Sequence, residues 1–268
     1  MTGALLGLEA RRSRVLTFWI AVVAFVYGAF VAALYPTMRA NAQLLDQYLK
    51  ILPQGFLAAF GMAGGSIVEP GGFFSTYIGA WLWPVLAALG AILLATRPVA
   101  ADLERGFVEL PLSTRVARTR YLGLTIVTHA VALVLMAVAT IAGFLVAGLL
   151  VGAGFDNGRL LVVIVPAAAL AFAIHGVTSA LSIATLSRGT AGGIAAGILL
   201  AMYLVNIMAR LNPDLEWLDS LSAFHYFDVR AIIDSGTLDL GGLALFLVAG
   251  VGGWAVALWL FRTRDLVA

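Results

Sequence analysis

Six apolar runs, each of about 20 residues or more, decide what this chain can become. They fall near residues 15–34, 76–95, 121–151, 160–186, 191–209 and 240–261. Lipid offers the backbone no hydrogen-bond partner, so a run that crosses the ~30 Å hydrocarbon layer must be a helix or part of a closed barrel. Unbroken apolar runs of this length fit helices, because barrel strands are shorter and alternate. Composition agrees. The chain is 62% hydrophobic and 11% charged, a balance that would leave a soluble surface largely apolar. The fold expected is an all-α membrane protein: a single domain over residues 1–268 with six transmembrane helices. The first run is longer than the apolar part of a cleaved signal peptide and is read as a retained span. The chain has no cysteine, which excludes disulfides and thiolate metal sites. Its net charge of +2 gives no argument for a nucleic-acid partner.

The polar segments between the runs add detail. Residues 1–14 place Leu5, Leu6 and Leu8 ahead of Arg11, Arg12 and Arg14, a pattern that suits a helix lying at the membrane surface. Tyr35-Pro36 is expected to end the first run. Residues 37–75 read as a folded, partly interfacial connection, with a helical stripe of Leu44, Leu45, Tyr48, Leu49 and Leu52 followed by glycine-marked turns. Residues 97–120 are the segment densest in charge. Within it Val99, Leu103, Phe107 and Leu110 form an apolar stripe, Asp102, Arg105 and Glu109 lie on a different face, and Pro111 ends the helix. This predicts a short amphipathic helix outside the membrane, serving either as a partner surface or as a solvated loop. Residues 210–239 are polar again, and small helices are expected around residues 221–224 and 231–233, before the last span.

Of the 16 basic residues, eleven lie on the side of the termini: Arg11, Arg12, Arg14, Arg97, Arg105, Arg115, Arg118, Arg120, Arg188, Arg262 and Arg264. Arg39, Lys50, Arg159, Arg210 and Arg230 lie on the other. The excess puts both termini and the central stretch in the cytoplasm.

Several chemistries are poorly served. A phosphate-cradling loop needs Gly-Lys-Ser or Gly-Lys-Thr, and the only lysine is Lys50, in Tyr-Leu-Lys-Ile. Ser179 and Ser182 lie near His175, but no acidic residue accompanies them in any span, so a hydrolytic triad is incomplete. Packing and back-bonding hydroxyls explain them better. The spans hold no Asp, Glu, Lys or Arg away from their ends, which leaves His129 and His175 as the candidate proton carriers. Energy for any transport must then arrive from another polypeptide, and the charged cytoplasmic stretch is the sizeable surface for it. A proton-coupled transporter using His175 and a non-transporting membrane scaffold are the alternatives.

With these residues placed, the central stretch resembles the loop of ABC-2-type transporter permeases. Glu104-Arg105-Gly106, Glu109, Leu110, Leu112, Ser113, Val116 and Arg118 match; Phe107 replaces the usual Thr, and Arg115 stands where Pro is common. Leu221-Ser222-Ala223-Phe224-His225-Tyr226 also resembles a Leu-Ser-Pro-Phe-His-Tyr segment of actinobacterial-type drug export permeases, with Ala223 in the Pro position. The resemblance covers nearly the whole chain.

It implies that two such chains pair, most simply as a homodimer in a bacterial cytoplasmic membrane, each docking a separate ATP-binding subunit. ATP and Mg would sit on that subunit, and this chain would bind no cofactor or metal. Asp102, Glu104, Arg105, Gly106 and Glu109 would couple the two. Phe224, His225 and Tyr226 would belong to an extracytoplasmic gate. The path would run beside the second and fifth spans, making Trp81, Met202, Tyr203 and Asn206 candidates to line it, with aromatic and methionine walls for a hydrophobic or amphipathic drug-like or lipid-like substrate. Gly189, Gly193 and Gly197, spaced by four, are expected to form a close-packed seam.

Overall fold

The computed structural model describes residues 2–62, 67–80, 82–98 and 118–263. The described residues are overwhelmingly helical and contain no strand. Among the described residues six helices are long and apolar enough to cross a membrane: Glu9–Ala40, Pro70–Ala95, Thr119–Leu150, Asn157–Thr185, Arg188–Leu211 and Leu240–Thr263.

The first helix, α1 (Thr2–Ala40), runs without a break through both the amphipathic start and the first apolar run. The helix expected over residues 1–14 is continuous with the first span, whose apolar stretch is Glu9–Ala40. Pro36 lies inside α1 and does not end it. Proline removes one donor and strains one turn, and a membrane helix held by neighbours absorbs that loss. Two short helices follow, α2 (Ala42–Ile51) and α3 (Gln54–Ala59). No residue of α2 is buried, and Leu44, Tyr48 and Ile51 are exposed along it, as expected of an interfacial connection.

The second span is composite. Helix α4 (Pro70–Phe74) opens with proline at its first position, where no donor is lost. It passes through a π-helical turn at Ser75–Ala80 into α5 (Leu82–Ala95). The remaining spans are α6 (Arg118–Leu150), α7 (Asn157–Thr185), α8 (Arg188–Leu211) and α10 (Leu240–Thr263). The polar residues between them act as caps. Asp156 accepts from the backbone of Gly158 and Arg159, and Ser187 accepts from Thr190. Before the last span come two 3-10 turns, Pro213–Leu221 and Ala223–Tyr226, and helix α9 (Val229–Ser235). Asn212, Ser222 and Asp228 cap these in turn, and Gly236 ends α9 in a left-handed conformation.

Helix α7 has the largest buried share of the six spans and packs against α5, α6, α8 and α10. Helix α1 packs chiefly along α6. The core is thickest at one end, where Tyr35, Phe73, Phe74, Phe144 and Phe155 meet with ring centroids 4.7–5.0 Å apart in four pairs. Arg159 fastens this end by donating to the carbonyls of Ile233 and Asp234 on α9, both at 2.6 Å. The closest helix crossings are made by glycine. A Cβ on Gly28 would meet the Thr140 carbonyl oxygen of α6 at 2.1 Å, and one on Gly176 would meet the Gly250 oxygen of α10 at 2.2 Å. By contrast Gly189, Gly193 and Gly197 have nothing within 4 Å among the described residues, so the glycine row on α8 is not a seam among them.

Candidate functional site

The residues before the last span fold back onto α8, and the outcome is set by where their polar groups find partners. Asn206 is buried near the end of α8. A lone amide in an apolar setting needs a partner, and Asn206 donates to Asp219 Oδ1 at 2.5 Å. The other carboxylate oxygen of Asp219 meets His225 Nδ1 at 2.6 Å. Tyr226 donates its hydroxyl to the Ser220 carbonyl at 3.0 Å, and Tyr203 packs edge-on against Phe224 with ring centroids 5.8 Å apart. The turn Ala223–Tyr226 is thus tied to α8 by one apolar contact and one carboxylate bridge.

Cavities lie on both sides of this turn. The first is a polar cup of about 420 Å³ lined by Asn206, Arg210, Phe224, His225, Asp228 and Arg230, with Gly61, Ser75, Gly79 and Ala80 along the opposite wall. The π-helical turn supplies Ser75, Gly79 and Ala80; its wider backbone and small side chains leave the space. The second is an apolar cleft of about 300 Å³ between α7, α8 and α10, lined by residues including Leu170, Ile174, Met202, Phe246, Ala223 and Tyr226. The gate candidates therefore divide. Phe224 and His225 face the cup, and Tyr226 faces the cleft. The path candidates divide as well, with Met202 on the cleft and Asn206, one turn further along α8, on the cup.

Trp81 lies outside the described residues, as do Asp102, Glu104, Arg105, Gly106 and Glu109 of the expected coupling helix. Trp83, two positions beyond Trp81, is fully buried in the bundle and lines neither cavity.

Sequence reasoning missed Asp219, which joins the two candidate groups. The available signal was the need of Asn206 for a partner within the acidic segment that follows it.

The histidines form a separate site. Trp254 Nε1 lies 2.9 Å from His175 Nδ1, and His175 Nε2 lies 3.1 Å from His129 Nδ1. An indole N–H can only donate. His175 therefore accepts at Nδ1, carries its proton on Nε2 and donates that proton to His129. The chain of bonds joins α10, α7 and α6. Ser179 turns its hydroxyl back to the His175 carbonyl at 2.7 Å, as expected for a back-bonding hydroxyl in a membrane helix. Among the described residues no group of three His, Asp or Glu is arranged to hold a metal ion.

Comparison with known families gives one match. The family model described as ABC-2 family transporter protein covers residues 8–266. No curated protein matches the chain significantly.

Proposed function

The chain belongs to the ABC-2 transporter family and is a multi-pass membrane permease of an ABC transporter that works with an ATP-binding subunit; from that premise we propose that it is one half of an ATP-driven exporter. Its substrate is a hydrophobic or amphipathic drug-like or lipid-like molecule, moved outward across a bacterial cytoplasmic membrane. The observation that carries this reading is the pair of cavities about the turn Ala223–Tyr226. An apolar cleft inside the bundle stands next to a polar cup, with a tethered turn between them. An amphiphile leaving the bilayer meets surroundings in that order. The excess of basic residues on the side of the termini supports an outward-facing cup and cytoplasmic termini. The open glycine row of α8 supports pairing with a second copy of this chain.

Energy enters, on this reading, through Asp102, Glu104, Arg105, Gly106 and Glu109, which dock the ATP-binding subunit; ATP and Mg are held there. Charges at such a contact set orientation and association rate more than affinity. The test is charge reversal at Glu104 and Glu109 together. The expected result is less ATP-binding subunit co-purified, or less substrate moved per ATP, in protein that inserts normally. Wild-type values for both would show that the stretch is a solvated loop.

A further inference from the structure

The largest cavity described lies far from the gate, on the outer face of the α1–α6 pair. These two helices touch backbone to backbone where Gly28 meets Thr140 and Gly143 meets Phe25. Toward their N-terminal ends, where Arg12 donates to the Tyr121 hydroxyl at 3.4 Å, a groove of about 780 Å³ lies between them. On α1 its wall includes the small residues Ala10, Ser13, Thr17 and Ala21, which give the groove depth, with Phe18 beside them. On α6 it is lined by Val127, Val131 and Leu135, all of them exposed. Two of the three wall hydroxyls, those of Ser13 and Thr128, are turned away from it. Ser13 donates to the Glu9 carbonyl at 2.9 Å and Thr128 to the Leu124 carbonyl at 2.9 Å. The charged member of the lining is Arg14, and Arg11, three positions earlier and thus its neighbour on the helix surface, is exposed as well.

The groove is therefore largely apolar, with Arg14 midway along its α1 wall and Arg11 toward the N-terminal side. From Val127 to Ala139 the α6 wall is about 18 Å long, at about 1.5 Å per residue. That is close to the depth of a single leaflet, half of the ~30 Å hydrocarbon layer. We propose that this groove is a binding site for one anionic phospholipid, its acyl chain lying between α1 and α6 and its phosphate held by Arg14 with Arg11. The charge favours lipid over a helix from a second copy. A protein occupant would have to bring a carboxylate to the same level, and Glu9, the only acid in the first half of α1, is itself buried with its carboxylate 4.0 Å from Arg12. A phospholipid of the leaflet brings its charge to the headgroup level by construction.

The test uses the full chain, purified and stripped of lipid, with phosphatidylglycerol and phosphatidylcholine of identical acyl chains as probes. Native mass spectrometry reads the bound lipid. The wild type is expected to retain phosphatidylglycerol about tenfold or more over phosphatidylcholine, the scale two basic side chains give at an anionic headgroup. Arg11→Gln with Arg14→Gln should abolish the preference. Thr17→Trp, which fills the groove and keeps both arginines, should lower phosphatidylglycerol retention by a similar factor. Equal retention of the two lipids by the wild type would mean ordinary annular contact and would overturn the proposal. So would an unchanged preference in the arginine variant, or full retention in the Thr17 variant, which would assign the effect to surface charge alone. Loss of a dimer rather than of lipid would make the groove a seat for a second copy. None of these readouts depends on the ATP-binding subunit or on transport.

Discussion

Asp219 is the acid in the segment before the last span whose two oxygens serve two different elements, Asn206 of α8 and His225 of the turn Ala223–Tyr226. Replacing it by alanine leaves the buried Asn206 amide without that acceptor and frees one side of the turn. An orphaned buried donor costs about 1–3 kcal/mol, so Asp219→Ala is expected to lower the thermal unfolding temperature measurably, and Asp219→Asn, which keeps an acceptor for Asn206, to lower it less. Unfolding curves for the two variants in the same detergent decide this; coincident curves for Asp219→Ala and wild type would show that the bridge contributes nothing. The sequence showed that Asn206 needed a partner. It did not show which of Asp214, Glu216, Asp219, Asp228, Asp234 and Asp239 would provide it, because that depends on how the two 3-10 turns fold back over α8. The histidines follow the same logic. His175 was legible as a polar group in a span, but the donor that fixes its proton, Trp254, lies 79 positions away in the chain.

Among the spans, the sequence located the helices well and their packing poorly. Length and hydropathy mark each span because the bilayer sets a minimum apolar length. Spacing of glycine by four marks only the capacity for close approach. The row at Gly189, Gly193 and Gly197 has that spacing and meets nothing among the described residues, whereas Gly176, Gly250 and Gly253 form the actual crossing of α7 and α10. A Cβ on Gly253 would lie 2.3 Å from the Gly176 carbonyl carbon, while Gly252 beside it faces open space. Gly253→Val is therefore expected to push α10 off α7 and cost about 1–3 kcal/mol or more, the scale of an overpacked core. Gly252→Val should be close to wild type. Size-exclusion profiles and unfolding temperatures for the pair check this, and equal behaviour would contradict the crossing.

For the whole molecule, the outer faces decide assembly. Helices α8 and α10 bury a small share of their residues, unlike the central α7. The proposed second copy belongs on α8, where exposed Gly193 and Gly197 continue into exposed Leu200 and Leu204. Because the chain has no cysteine, single replacements report this without background. Gly193→Cys is expected to give a disulfide-linked dimer on mild oxidation in membranes, seen on a non-reducing gel. Val165→Cys, on an exposed face of α7, should remain monomeric. The reverse pattern would move the interface to another face.

The sequence alone determined that this chain is a six-span helical membrane protein, and its charged stretch and the segment before its last span resembled a transporter family that the match over residues 8–266 then established. These properties are local: apolar length, charge bias and short motifs are carried by neighbouring residues and survive any packing arrangement. Tertiary structure alone decided the rest. It joined the amphipathic start and the first span into one helix, paired Asn206 with Asp219, set Phe224 and His225 on one cavity and Tyr226 on another, and opened a groove beside Arg14. Each of these depends on contacts between residues far apart in the chain. In a bilayer the apolar surroundings reward every face of an apolar helix alike, so hydropathy cannot say which face meets protein and which meets lipid.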